Sequence, residues 1–161
     1  MNDISYKYNG AKALVELHEI HIRSFYKTWQ KAKQVGVTLP TTDDPYYKSL
    51  DTLLYHVLRS ARGYMIWMCE KLNLPDPMIN ETPPAEIIET KAGEQLEHLT
   101  ERWRLPLAYV EAELFEDKVY KSNWGVDYCI DAMLEHAVMH PIRHEFQLKN
   151  LIQRAITSGA K

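Results

Sequence analysis

The stretch Ser49-Leu-Asp-Thr-Leu-Leu-Tyr-His-Val-Leu-Arg-Ser-Ala-Arg-Gly-Tyr-Met-Ile-Trp-Met-Cys-Glu-Lys-Leu-Asn73 decides how the rest of the chain is read. Leu50, Leu53, Leu54, Val57, Leu58, Ala61, Met65, Met68 and Leu72 recur at intervals of three and four. That period lines up side chains on one face of an α-helix, whereas a half-buried strand would alternate at two. Pro75 and Pro77 follow, and neither can continue a helix, because proline lacks the backbone N–H and clashes with the preceding turn.

Working outward, the same period predicts a first helix from Ala11 to Lys33, with Leu14, Leu17, His21, Phe25 and Ala32 on its stripe and Gly36 as its stop. Downstream, four prolines between Pro75 and Pro84 suit a long connection running along or across a bundle rather than a tight turn. A third helix is expected from Pro84, presenting Ile88, Ala92, Leu96, Leu99, Trp103, Leu107, Val110 and Leu114 and kinked at Pro106. After a loop from Glu116 to Gly125, a fourth helix is expected from Asp127 to Thr157, with Ile130, Met133, Leu134, Ala137, Leu148, Leu151, Ile152 and Ala155 apolar. Asp127, Asp131 and Glu135 suit the positive end of that helix. The expected fold is all-α: one four-helix-bundle domain over residues 1–161, with a long connection between the second and third helices.

Composition bounds the function. With 45% apolar and 25% charged residues the chain is globular, and 161 residues bury a sufficient core without a metal or disulfide staple. Nineteen Lys and Arg against 22 Asp and Glu leave a net charge of −3, so no basic field exists to hold a phosphate backbone, and nucleic acid is not an expected partner. The first residues carry no apolar secretory stretch, and the longest apolar run, Tyr64 to Cys69, is far too short to span a bilayer. A cytoplasmic location without membrane attachment is expected. Cys69 and Cys129 stand far apart and form no CxxC, which fits buried thiols rather than a disulfide or a thiolate zinc site.

Histidine is the residue type that points to chemistry. His136, His140 and His144 are four residues apart, so successive members lie about 40° apart around a helix axis. Met133, Ala137 and Leu148 share the inward stripe, which turns His140 and His144 into the bundle and leaves His136 at its edge. Two imidazoles at i, i+4 can share one metal ion. Pro141 occupies the position where HExxH zinc proteases carry their glutamate, which excludes that reaction. The leading third ligand is His56, beside the apolar stripe of the second helix, with Ser60 and Gly63 as small neighbours that would let a facing helix approach. His18, His21 and His98 lack an i+4 histidine and are expected to be hydrogen-bonded core or boundary residues. For the run His136 to His144, a shared metal and a metal-free set of paired imidazoles both remain open.

The segment Leu134-Glu-His136-Ala-Val-Met-His140-Pro-Ile-Arg-His144-Glu-Phe-Gln147 resembles the last-helix signature of the DinB-like superfamily, His-x3-His-x3-His-x2-Gln. Leu53-Leu-Tyr-His56-Val is similar to that family's second-helix motif. The resemblance implies a four-helix bundle with a crossing connection, and a divalent metal held by His56, His140 and His144. It also implies a homodimer, and the enzymes of the family are thiol-cofactor-dependent transferases or isomerases. Two positions depart from the pattern: Glu145-Phe146 stands where Arg-Gly is usual, and Pro141 lies inside the expected helix. Proline there disfavours α geometry at His140, so the helix is expected to kink or restart, and on a restart His136 would exchange roles with His144.

Three neutral imidazoles on a divalent ion leave a coordination position free, the arrangement of a catalytic rather than a structural site. A thiol or water filling it becomes a nucleophile near neutral pH. The expected function is therefore a divalent-metal-dependent enzyme acting on a small molecule, a transferase or isomerase with a low-molecular-weight thiol as cosubstrate or a hydrolase. The alternative is a dimeric, non-enzymatic helical bundle, with or without metal. Imidazoles do not choose among zinc, nickel and ferrous iron. Glu135, Glu145, Gln147 or a backbone carbonyl would orient the ligand rings, and Tyr47, Tyr55, Tyr64 and Trp67 are either pocket walls or ordinary core.

Overall fold

A computed structural model describes residues 4–159. Four helices carry the chain: α1 (Asn9–Val35), α2 (Leu50–Lys71), α3 (Ile88–Trp103) and α4 (Ile130–Gly159). The all-α reading holds. Two 3-10 turns, Pro45–Tyr47 and Ala112–Phe115, and a short antiparallel pair, β1 (Tyr120–Lys121) and β2 (Asp127–Tyr128), complete the elements. Among the described residues no helix is long and apolar enough to cross a membrane.

Local chemistry sets the helix ends. Ser49 Oγ accepts from Thr52 N at 3.1 Å while Thr52 Oγ1 accepts from Ser49 N at 2.9 Å, a reciprocal cap that satisfies donors otherwise orphaned at the start of α2. Gly36 ends α1 at φ 75°, its N–H turned back to Lys33 O, a left-handed conformation that glycine adopts without a Cβ clash. Every apolar position expected on α2 is buried except Leu72, which is half-buried at the helix end. This face meets α1 and α4 in one core that includes Ile22, Phe25, Leu54, Leu58, Met65 and Leu134.

On α1 the expected stripe holds at Phe25 and Ala32, while before them it is rotated by one residue. Ala11, Val15, His18, Ile22, Phe25, Trp29 and Ala32 are buried, whereas Leu14 and His21 are half-buried and Leu17 is 41% exposed. The N-terminal half of α1 offers apolar side chains on two faces 100° apart, and packing along α4 selects between them. The third helix is shorter than expected. It ends at Trp103 rather than passing through Pro106 with a kink, because proline disfavours α geometry at Leu105 and donates no hydrogen bond. Leu107, Val110 and Phe115 are nevertheless buried, as anchors of an irregular segment, while Leu114 is largely exposed. The loop expected over Glu116 to Gly125 contains β1, and Asp127 belongs to β2 rather than to the first turn of α4. Ser122 N donates to Val126 O at 2.8 Å and closes the hairpin through Gly125 at φ 85°.

The long connection between α2 and α3 is ordered by specific bonds. Arg62 Nε donates to Ile79 O at 3.0 Å, and Gln95 Nε2 donates to Asn80 O at 3.1 Å. Ion pairs tie the helices at their edges: Arg104 Nη2 lies 2.6 Å from Glu19, and Lys33 bridges Asp51 at 3.0 Å and Glu89 at 2.8 Å. Cys69 is buried, Cys129 is half-buried and both are free thiols. Burial pushes the Cys69 thiol up to about 11, which makes it inert at neutral pH.

Candidate metal centre

Helix α4 runs through Pro141 without interruption, so His136, His140 and His144 keep their four-residue spacing and the restart, with its exchange of His136 for His144, does not occur. His140 is buried, and His136 and His144 are half-buried. From the second turn of α2, His56 reaches the same place. One ligand atom each from His56, His140 and His144 lie within 4.8 Å of one another. His56 Nε2 and His140 Nε2 are 3.0 Å apart, and the ring centroids of His140 and His144 are 4.7 Å apart, nearly perpendicular at 79°. His136 stands off, its ring 6.4 Å from that of His140 and stacked on Trp124 at 5.6 Å.

The surroundings fix these rings. His144 Nδ1 is 3.1 Å from Gln147 Oε1 and 3.1 Å from the Tyr47 hydroxyl, and Tyr47 Oη–H itself donates to Gln147 Oε1. A carbonyl oxygen only accepts, so Nδ1 of His144 carries the proton and Nε2 keeps its lone pair. Tyr46 stacks on His56 at 4.3 Å, and Tyr64 meets His140 edge-on at 5.7 Å. Both tyrosines at 46 and 47 are delivered by the 3-10 turn before α2, where Asp44 accepts from Tyr46 N at 2.9 Å.

Burial, reinforced by the neighbouring imidazoles and Arg143, drives the His140 pKa down to about 2. Burial likewise takes His144 down to about 4 and holds His56 below the usual imidazole value. The three rings are therefore neutral at neutral pH, the form that offers lone pairs to a cation. Zinc–imidazole bonds of about 2.1 Å at tetrahedral angles separate ligand nitrogens by about 3.4 Å. The nitrogens already lie within side-chain adjustment of that spacing, and the neutral all-nitrogen set suits zinc, nickel or ferrous iron.

Of the candidate orienting groups, Gln147 contacts a ring. Glu145 is buried but faces α1, accepting from Ser24 Oγ at 2.7 Å and Thr28 Oγ1 at 3.1 Å and pairing with Lys149 at 2.7 Å; Glu135 is exposed. Tyr47, read as a pocket or core aromatic, turns out to hold His144, and only the folding of residues 37–49 back over α4 reveals it. Gly63 does not admit a facing helix: a Cβ there would meet nothing within 4 Å. It opens the rim of a cavity instead. Among the remaining histidines, His98 Nε2 lies 3.1 Å from Asn80 N. His18 is buried as a core residue, stacked on Trp103 at 3.7 Å, but neither ring nitrogen has a hydrogen-bond partner, contrary to expectation.

Two cavities meet at the centre. A groove of about 650 Å³ runs along α4 past Tyr47, His144, Gln147, Asn150 and Arg154. A second cavity of about 600 Å³ is walled by Tyr46, Tyr64, Trp67, Trp124 and His136. His56, His140 and Arg143 line both, so the imidazole group is reachable by a small molecule. No family model, curated protein or solved structure matches this chain.

Proposed function

We propose that the protein is a metal-dependent enzyme, a transferase or hydrolase, in which His56, His140 and His144 hold one divalent cation next to a small-molecule pocket. The resemblance to the DinB-like superfamily implies the same three ligands and a low-molecular-weight thiol as cosubstrate. A divalent cation bound there supplies the charge that brings a thiol or water nucleophile into its anionic form near neutral pH. The chain's own residues prepare for this. Tyr47 and Gln147 hold the His144 tautomer, Tyr46 fixes the plane of His56, and burial keeps all three rings unprotonated. The observation that supports the reading most directly is that three neutral imidazoles from two helices converge at the junction of two open cavities.

Elemental analysis of protein purified without a histidine tag tests it. About one zinc, nickel or iron per chain is expected, reduced in each of His56→Ala, His140→Ala and His144→Ala. Full stoichiometry in all three variants overturns the assignment. Turnover of small electrophiles with low-molecular-weight thiols, or of esters with water, then tests the reaction. Metal-dependent melting or association without such turnover points to the non-enzymatic bundle. A homodimer belongs to the same proposal, and a single-chain mass by sedimentation equilibrium removes it.

A further inference from the structure

The walls of the aromatic cavity carry an unbalanced charge. Arg59 and Arg143 line it, and no aspartate or glutamate does, although the chain as a whole is net negative at −3. Arg143 forms no hydrogen bond or ion pair with any described residue, and Arg59 reaches only the Tyr46 hydroxyl, at 3.4 Å. The one carboxylate on the neighbouring groove, Asp44, is engaged in capping the 3-10 turn. Two guanidinium groups lining a concave, aromatic-walled space that holds no carboxylate favour an incoming molecule that brings negative charge. The space of about 600 Å³ is within the range that encloses small organic ligands. The half-exposed Trp124 offers ring surface to a flat body, and Tyr64 and Trp67 back the wall from the interior.

We infer that the ligand of this centre is a small aromatic anion, with its acidic group on Arg143 and Arg59 and its ring against the exposed part of Trp124 at the cavity mouth. The inference rests on the proposed metal reading only for where the reactive end of that molecule lies; recognition of charge and ring belongs to the cavity itself. A guanidinium binds a carboxylate, sulfonate or phosphonate through paired, charge-assisted hydrogen bonds that a neutral analogue does not form.

Calorimetric titration of the full chain at pH 7.5 with sodium 1-naphthalenesulfonate, whose sulfonate is a poor metal ligand, tests the inference, with 1-naphthalenemethanol as the uncharged counterpart. The sulfonate is expected to bind and the alcohol to bind about tenfold more weakly or worse. Arg143→Ala and Arg59→Ala should each weaken the sulfonate about tenfold, and Arg143→Lys should recover part of the loss. Both arginines are exposed, and unchanged circular dichroism checks that the variants remain folded. Equal binding of the two probes, or wild-type sulfonate binding by both alanine variants, overturns the inference. Zinc, nickel and iron content measured on the same samples separates the two proposals. Arginine-dependent binding in a chain that holds no zinc, nickel or iron removes the metal reading alone, and full metal content without arginine dependence removes this inference alone.

Discussion

At the scale of single residues, burial keeps both His144 and His18 neutral, but only His144 has hydrogen-bond partners that orient its ring. His144 is held by hydrogen bonds through Nδ1, and removing the Tyr47 hydroxyl leaves Gln147 alone to fix that ring. Groups that orient a ligand in this way are typically worth 10–100-fold in metal affinity. Tyr47→Phe is therefore expected to lower zinc affinity about tenfold with helicity unchanged, as read by competition with a chelating dye; undiminished affinity would assign Tyr47 to packing alone. His18 is neutral because burial drives its pKa from 6.5 down to about 3. The unfolded chain takes up a proton near pH 6.5 that the folded chain refuses until about pH 3. Stability that depends on neutral His18 is thus complete above pH 6.5 and falls as the pH drops towards 3, by at most about 1.4 kcal/mol per unit. His18→Phe keeps a ring on Trp103 and removes the titrating group, so its urea midpoint should fall less between pH 7 and pH 4.5 than that of the wild type. Equal falls would mean that His18 does not carry the acid sensitivity.

At the scale of elements, cap, apolar stripe and stop all agree at α2. Ser49→Ala removes the acceptor for Thr52 N and should cost about 1 kcal/mol, seen as a lower urea midpoint with unchanged slope. No measurable loss would show that Thr52 and water cap α2 equally well. The helix that carries His56 was legible because its apolar residues are flanked by polar ones on a single face. Helix α1 was legible at its C-terminal half, through Phe25 and Ala32; before them Leu14, Leu17 and Ile20 compete with Ala11, Val15 and Ile22, and the choice is made by α4, which local sequence does not contain. Helix α3 was overextended because Leu107 and Val110 are buried at helical spacing without being helical, while Pro106 ends the helix before them. Pro141 misled in the opposite direction. Its neighbours Ala137, Val138 and Leu148 are buried, and packing around α4 outweighs one missing backbone bond.

For the whole molecule, the core of α1, α2 and α4 is continuous without any help from the imidazole group. Chelation should accordingly lower the melting temperature while leaving the far-ultraviolet helical signal at 25 °C intact. Zinc at about 100 times its dissociation constant would add roughly 2.7 kcal/mol. Collapse of the helical signal on chelation would assign the metal a folding role instead. The same division explains what could be read of the site. His140 and His144 share a face of one helix, and His56 borders the stripe of another, so helical geometry alone brings them to the bundle interior. Tyr46, Tyr47 and Arg143 acquire their roles from the path of residues 37–49 and from the cavity between α2 and the hairpin, relations between distant parts of the chain that no local pattern encodes.

Of the four tryptophans, Trp29, Trp67 and Trp103 are sealed in the interior, and Trp124 is 49% exposed. Its indole lies against His136 at the mouth of the aromatic cavity. Acrylamide should therefore quench one emitter out of four, and the protein carries its own optical probe of whatever enters beside the histidines.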